Sequence, residues 1–318
     1  MSDRKFKILS LDGGGVRGYL SAKILANAEA YLNKKTGNNL PIGSRFDLIA
    51  GTSTGGIIAL GLAIGKTAEE IEQLYLKDIP EIFGHTRPFH RITKFFFTKY
   101  RADILEKKLN GYFGENTLKG VKTDVLITSV NVDDAKPKIH KSNYFSRNAG
   151  RLDEKLRDIA VATSSAPTYF PTKEKLKYSH NLTDGGLCAN NPCMLALTDA
   201  LLFERNSKHG TPKPDNDFKN IVMLSIGTGE RGKMPYNSNK LKQGGQLNWV
   251  LPLIEIMMES QSFTAHFQAS SLLGKQYFRV NPKLKFKMAL DDANQIERLK
   301  NLADLDRELE SFLCDFFV

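Results

Sequence analysis

The ten residues 55–64, GGIIALGLAI, hold no polar side chain. A helix over them has no face to offer water and must be enclosed on every side. A bilayer is not the enclosure, because the longest apolar stretch, residues 57–65, is about half the ~20 residues that a membrane span needs. The chain must therefore build protein layers around this segment. Residues 46–51 just before it are strand-like, and similar runs stand at 5–11, 124–131, 221–226 and 276–280. Between these runs, apolar residues recur at helical spacing over 21–35, 69–76, 103–109 and 154–162. This alternation predicts βαβ units around a mostly parallel sheet.

Residues 293–316 place Ile296, Leu299, Ala303, Leu309, Leu313 and Phe316 on or near one helical stripe. The stripe reads as core packing, with the seam of a homo-oligomer as the other reading. Segments 206–217 and 232–246 read as irregular surface, and neither is long enough to divide the chain. A single domain over 1–318 is expected, with 80–122 as an elaboration upon it, either a lid or a membrane contact.

The net charge of +10 speaks about partners rather than fold. Residues 90–101, HRITKFFFTKYR, interleave Arg91, Lys94, Lys99 and Arg101 with Phe95, Phe96, Phe97 and Tyr100 and contain no acid. Rings beside cations suit an anionic lipid surface; the other reading is a half-buried connector whose rings belong to the core. Basic charge also suits nucleic acid, but no recognition motif accompanies it, so no nucleic-acid partner is expected. A basic nucleic-acid- or membrane-binding protein on a catalytically idle fold is the alternative to an enzyme. Cys188, Cys193 and Cys314 give neither a disulfide framework nor paired zinc ligands. With no signal-peptide pattern, the expected location is cytoplasmic, peripheral at the inner membrane face.

Residues 51–55, GTSTG, match G-x-S-x-G between a strand and a helix. A serine on so sharp a turn is pushed clear of the sheet, and the flanking Gly51 and Gly55 permit the crowding. The following helix also aims its free N–H groups at whatever oxygen reacts there. The serine hydroxyl needs a base. Asp184 in TDGG follows in the chain, and His209 and His266 are the only later histidines. Two glycine loops imitate nucleotide sites. Gly13, Gly15 and Gly18 in DGGGVRG fit G-x-G-x-x-G, yet no carboxylate lies at 31–40 to hold a ribose, and Asp12 would repel a pyrophosphate. Residues 227–234, GTGERGKM, end in Met234 where a phosphate loop needs Ser or Thr for magnesium.

Together, DGGGVRG at 12–18, GTSTG at 51–55 and DGG at 184–186 resemble the patatin-like phospholipase signature in its order. SSAPTYFP at 164–171, ANNP at 189–192 and SIGTG at 225–229 resemble further blocks of that family. The resemblance implies a three-layer α/β/α fold with a mostly parallel central sheet. It further implies an acyl hydrolase acting on the carboxylic esters of membrane glycerophospholipids, with Ser53 as nucleophile and Asp184 as base in a dyad without histidine. It assigns the oxyanion hole to the loop of Gly13, Gly14, Gly15 and Gly18, with Arg17 near it. No metal or cofactor is implied. Some bacterial members are defence effectors switched on by a cyclic nucleotide, so the resemblance also brings in such an activator as a partner and an antiviral role.

Overall fold

The computed structural model describes residues 5–84, 98–142, 152–207, 218–231 and 241–318. Its centre is five parallel strands in the order β3–β2–β1–β7–β9: β3 (Asp124–Asn131), β2 (Leu48–Thr52), β1 (Phe6–Leu11), β7 (Ile221–Ile226) and β9 (Tyr277–Val280). Three antiparallel strands extend it, β4 (Lys136–Lys141) and β6 (Ser179–Asp184) on β3, and β5 (Lys173–Leu176) on β6. A short pair, β8 (Glu230–Arg231) with β10 (Lys283–Leu284), stands apart.

Alternate residues of the strands enter two different cores, as the period of two requires. Leu9, Leu11, Ile49, Val125, Ile127, Val222 and Leu224 face one side. There they meet α1 (Gly18–Thr36), α2 (Thr54–Ala63), α3 (Ala68–Gly84), α4 (Ala102–Phe113) and α5 (Leu156–Ser164). Ile8, Leu48, Ala50, Leu126, Ile221 and Met223 face the other side. After the single-turn α6 (Gly186–Ala189), that face is covered by α7 (Cys193–Ser207) and α8 (Gln246–Leu273). The fold is thus a three-layer α/β/α sandwich around a mostly parallel sheet, and α2 is buried at nine of its ten positions.

The register of β3 positions the candidate site. Thr128 pairs with Ile139 of β4 and Thr52 of β2, while Ser129 pairs with Lys138 of β4 and Asp184 of β6. Since β4 occupies one edge of β3 throughout, β2 and β6 share the other. They run toward each other and their ends abut at Thr128–Ser129.

The predicted helix over 293–316 is broken in two, α9 (Ile296–Lys300) and α10 (Arg307–Phe317). Asp306 starts α10 afresh, its carboxylate accepting the Leu309 N–H at 2.8 Å, as a helix-capping aspartate does. Ile296, Leu299, Ala303, Leu309 and Leu313 are nevertheless all buried in the larger core.

Candidate active site

Ser53 stands between β2 and α2 with φ 54° and ψ −123°. A non-glycine residue with positive φ is held only by surroundings that over-determine it, at about 1–3 kcal/mol. Here the Ser53 N–H donates to Thr163 Oγ1 at 2.8 Å, and its carbonyl accepts the Ile57 N–H at 3.1 Å. A Cβ on Gly55 would lie 2.3 Å from the Leu11 carbonyl oxygen, so only glycine lets α2 begin this close to β1. The turn is braced from β3, where Thr52 and Thr128 share a hydroxyl hydrogen bond of 2.7 Å.

Asp184 is the last residue of β6 and is 4% exposed. Its carboxylate accepts the Gly186 N–H at 2.7 Å and shares the cleft with the neighbouring Ser53 hydroxyl. Burial pushes its pKa up to about 6, outweighing the lowering by the Gly186 N–H and the nearby Ser53 hydroxyl. The shift follows from desolvation of the charged form, and it gives Asp184 a basicity near neutral pH.

The glycine loop follows β1 directly. Gly15 has φ +59°, and a Cβ there would lie 2.1 Å from the Leu290 carbonyl oxygen. The Gly13 N–H donates to the Asn190 carbonyl at 3.0 Å, that of Arg17 to Gly14, and that of Gly18 to Gly15 and Val16. These three amides close the turn. The backbone N–H groups of Gly13, Arg17 and Gly18, which the resemblance places in or near the oxyanion hole, are thus engaged within the turn. Among the described residues, no acceptor takes the N–H groups of Gly14 and Gly15, and both glycines line the Ser53 cleft. The Arg17 side chain is placed elsewhere: it reaches Gly229 O at 3.4 Å and lines a separate polar cavity with Arg279 and His266.

Asp12 turns out to be an anchor for this loop. Arg279 on β9 grips both its carboxylate oxygens, at 3.0 and 2.6 Å, with both side chains at least nine-tenths buried. Neither the partner nor the pairing is visible in the sequence near DGGGVRG. The loop is held from below as well, since the Thr228 hydroxyl donates to Gly13 O at 3.1 Å. The second glycine loop thus serves as a brace for the first.

A cleft lies over Ser53 and Asp184, with about 80 Å³ open to the centres of water-sized spheres. Its walls are apolar: Leu74, Ile79 and Phe83 from α3, Leu105 and Leu109 from α4, Tyr169 and Phe170 beyond α5, and Ile254 and Met258 from α8. The predicted elaboration at 80–122 therefore contributes wall. Of the residues expected at a membrane, Arg91, Lys94, Phe95, Phe96 and Phe97 lie outside the described residues. Tyr100 is corrected to a core residue. It is 2% exposed, packs between Phe83 and Phe170, and donates to Asp291 at 2.7 Å. Lys99 pairs with the same Asp291, and Arg101 pairs with Asp103.

No histidine described in the structure lines the Ser53 cleft. His266 bonds Tyr277 through Nδ1 at 3.1 Å. His140 is sealed between Ser129 and Glu154. His209 lies outside the described residues. Among the described residues, no group of three or more His, Cys, Asp or Glu side chains could hold a metal ion. No described helix is long and apolar enough to cross a membrane.

A family model for the patatin-like phospholipases matches residues 9–197, more than half the chain. The chain belongs to the patatin-like phospholipase family and is a hydrolase of carboxylic esters. Among its relatives, the cGAMP-activated phospholipase of Vibrio cholerae serotype O1 is 33% identical over 343 aligned positions, covering 98% of this chain and 94% of the other. Patatin-like protein 2 of Arabidopsis thaliana is 32% identical over 300 positions, covering 86% of this chain and 74% of the other. Of solved structures, VipD from Legionella pneumophila aligns over 94% of this chain and 67% of its own, at 11% identity and a TM-score of 0.41.

Proposed function

We propose that the chain is a membrane-peripheral lipid acyl hydrolase that releases fatty acid from glycerophospholipids through Ser53 and Asp184. The observation that carries this reading is the placement of a strained, buried serine beside an equally buried carboxylate at the foot of an apolar cleft. Asp184 takes the Ser53 proton as Oγ attacks the ester carbonyl. The oxyanion of the tetrahedral intermediate forms beside Gly14 and Gly15, whose N–H groups are the donors left in the loop, at the N-terminus of α2. Collapse expels the lyso-lipid alkoxide, which takes the proton back from Asp184 and leaves an acyl-serine. Water, deprotonated by Asp184 in turn, then attacks this ester; the acyl–Oγ bond breaks, Ser53 Oγ takes the proton back from Asp184, and the fatty acid leaves. The apolar walls suit an acyl chain and exclude competing water.

Fatty-acid release from phospholipid vesicles by the wild type, Ser53→Ala and Asp184→Ala tests the dyad. Both variants are expected to lose about a thousandfold or more, and Ser53→Ala to lose labelling by a fluorophosphonate probe. Undiminished release by both would overturn the assignment.

The relative from Vibrio cholerae, whose name states activation by cGAMP and which spans nearly all of this chain, supports a second element: activity here is switched on by a cyclic nucleotide. Vesicle hydrolysis with and without cGAMP and other cyclic dinucleotides tests it, and equal rates throughout would reject it.

A further inference from the structure

Six of the large apolar side chains left exposed among the described residues stand on one helix, α8: Trp249, Leu253, Met257, Phe263, Phe267 and Leu272. At 100° per residue, the first five fall on one broad face, together with Ser260 and Thr264. From Trp249 to Phe267 this face runs about 27 Å. Phe263 is 71% and Phe267 64% exposed. So long an apolar stripe is more than scattered surface hydrophobicity and marks something it meets.

Its chemistry selects a lipid surface. The helix contains no lysine, arginine or aspartate, and its two glutamates lie to one flank, Glu255 and Glu259, both held by Arg231. Several polar groups on or beside the stripe are already satisfied within the protein. Ser260 donates to the Met257 carbonyl, Thr264 to Ser260 and Ser270 to Phe267. The Trp249 indole N–H donates to Leu241 O at 3.2 Å. Between Trp249 and Phe267 the hydroxyls of Ser260 and Thr264 and the indole N–H on this face thus keep their partners when water leaves, which eases entry into the interfacial region of a bilayer.

The stripe is also continuous with the cleft. Leu253 and Met257 are exposed, while their neighbours in sequence, Ile254 and Met258, line the cavity above Ser53. A lipid chain leaving the bilayer at this helix reaches the cleft by passing around one side of it. The chain's charge of +10 draws it to anionic lipid and sets two copies against each other, which favours a membrane over self-pairing.

We infer that α8 lays its outward apolar face on the surface of an anionic phospholipid bilayer and so seats the mouth of the Ser53 cleft at the interface where its substrate lies. This rests on the acyl-hydrolase reading above for its purpose but not for its test. Trp249 is the only tryptophan in the chain, so its emission reports on this helix alone.

With Ser53→Ala protein, which leaves vesicles intact, vesicles of phosphatidylglycerol and phosphatidylcholine are expected to shift Trp249 emission to the blue and carry the protein down on sedimentation. Adding Phe263→Ser and Phe267→Ser weakens partition about tenfold or more. In the active protein the same pair lowers the ratio of vesicle turnover to soluble-ester turnover by a similar factor. Thermal melts check that the fold survives, as exposure of both rings predicts. Undiminished partition of the double variant, or unmoved Trp249 emission in vesicle-bound protein, would overturn the inference. So would a concentration-dependent blue shift without lipid, with dimers in sedimentation velocity that the two serines dissolve, because the face would then pair copies. Wild type that binds vesicles through this face yet turns over no soluble ester, with cGAMP and other cyclic dinucleotides added, would refute the Ser53 reading and leave the docking face standing.

Discussion

Replacing Asp184 by asparagine should abolish hydrolysis and make the protein more stable. The carboxyl is 4% exposed, and burial lifts its pKa from 3.8 to about 6. Between these two values the unfolded chain gives up the proton while the native site keeps it. The native state binds more protons there, so its stability falls as pH rises through that window. Each tenfold in proton affinity is worth about 1.4 kcal/mol, so the charged form carries a penalty of about 3 kcal/mol at pH 7. Asparagine keeps the oxygen that accepts the Gly186 N–H and has no charge to desolvate. Its advantage should be about 3 kcal/mol at pH 7, about half that at pH 5, and under ~1 kcal/mol at pH 4. Urea unfolding reads this directly. With a slope of about 3 kcal/mol/M, the midpoint of Asp184→Asn lies up to about 1 M above wild type at pH 7, and the gap closes on acidification. Equal midpoints at pH 7, or a gap that ignores pH, would refute the claim that Asp184 is a buried charge in the working protein.

The pH dependence of kcat/KM for a soluble ester should rise with the ionised fraction of Asp184 and flatten above about pH 6; a profile still climbing at pH 8 would point to a different base. Arg279→Met leaves Asp12 buried without its partner and should destabilise the protein by about 3–5 kcal/mol at neutral pH. Burial already raises the Asp12 pKa against the pull of Arg279, so the loss shrinks in acid, and adding Asp12→Asn should recover part of it in chemical denaturation.

Of the candidate residues, Ser53 could be read from a short motif that obeys a local steric rule, while Asp184 was named as the base only through the family resemblance. GTSTG lies where a strand gives way to a helix without a polar face, and both halves of that context are visible in sequence. Strands β3 and β7 were bounded by their apolar runs over 124–131 and 221–226. Strand β6, which bears Asp184, was not. Leu182 is the only large apolar residue in SHNLTD, so nothing in its pattern announces a strand. Its conformation is set by pairing with β3 and β5. The Asp12–Arg279 pair spans 267 residues, and no spacing rule reaches that far. Tyr100 was misplaced for a related reason. Phenylalanines and cations in a row look the same whether they meet lipid or a protein core, and only Phe83, Phe170 and Asp291 decide between them.

The meeting of β2 and β6 along one edge of β3 has a consequence for what can vary in this protein. Thr52, next to Ser53, and Asp184 are each keyed to one of two consecutive residues of a third strand, so the gap between serine and carboxylate is gauged by the single peptide link from Thr128 to Ser129. Connections between strands can lengthen, shorten or be exchanged without disturbing that gauge. A single residue inserted into β3 at this link cannot be absorbed: it parts the two strand ends, or reverses the face on which one of them presents its side chain.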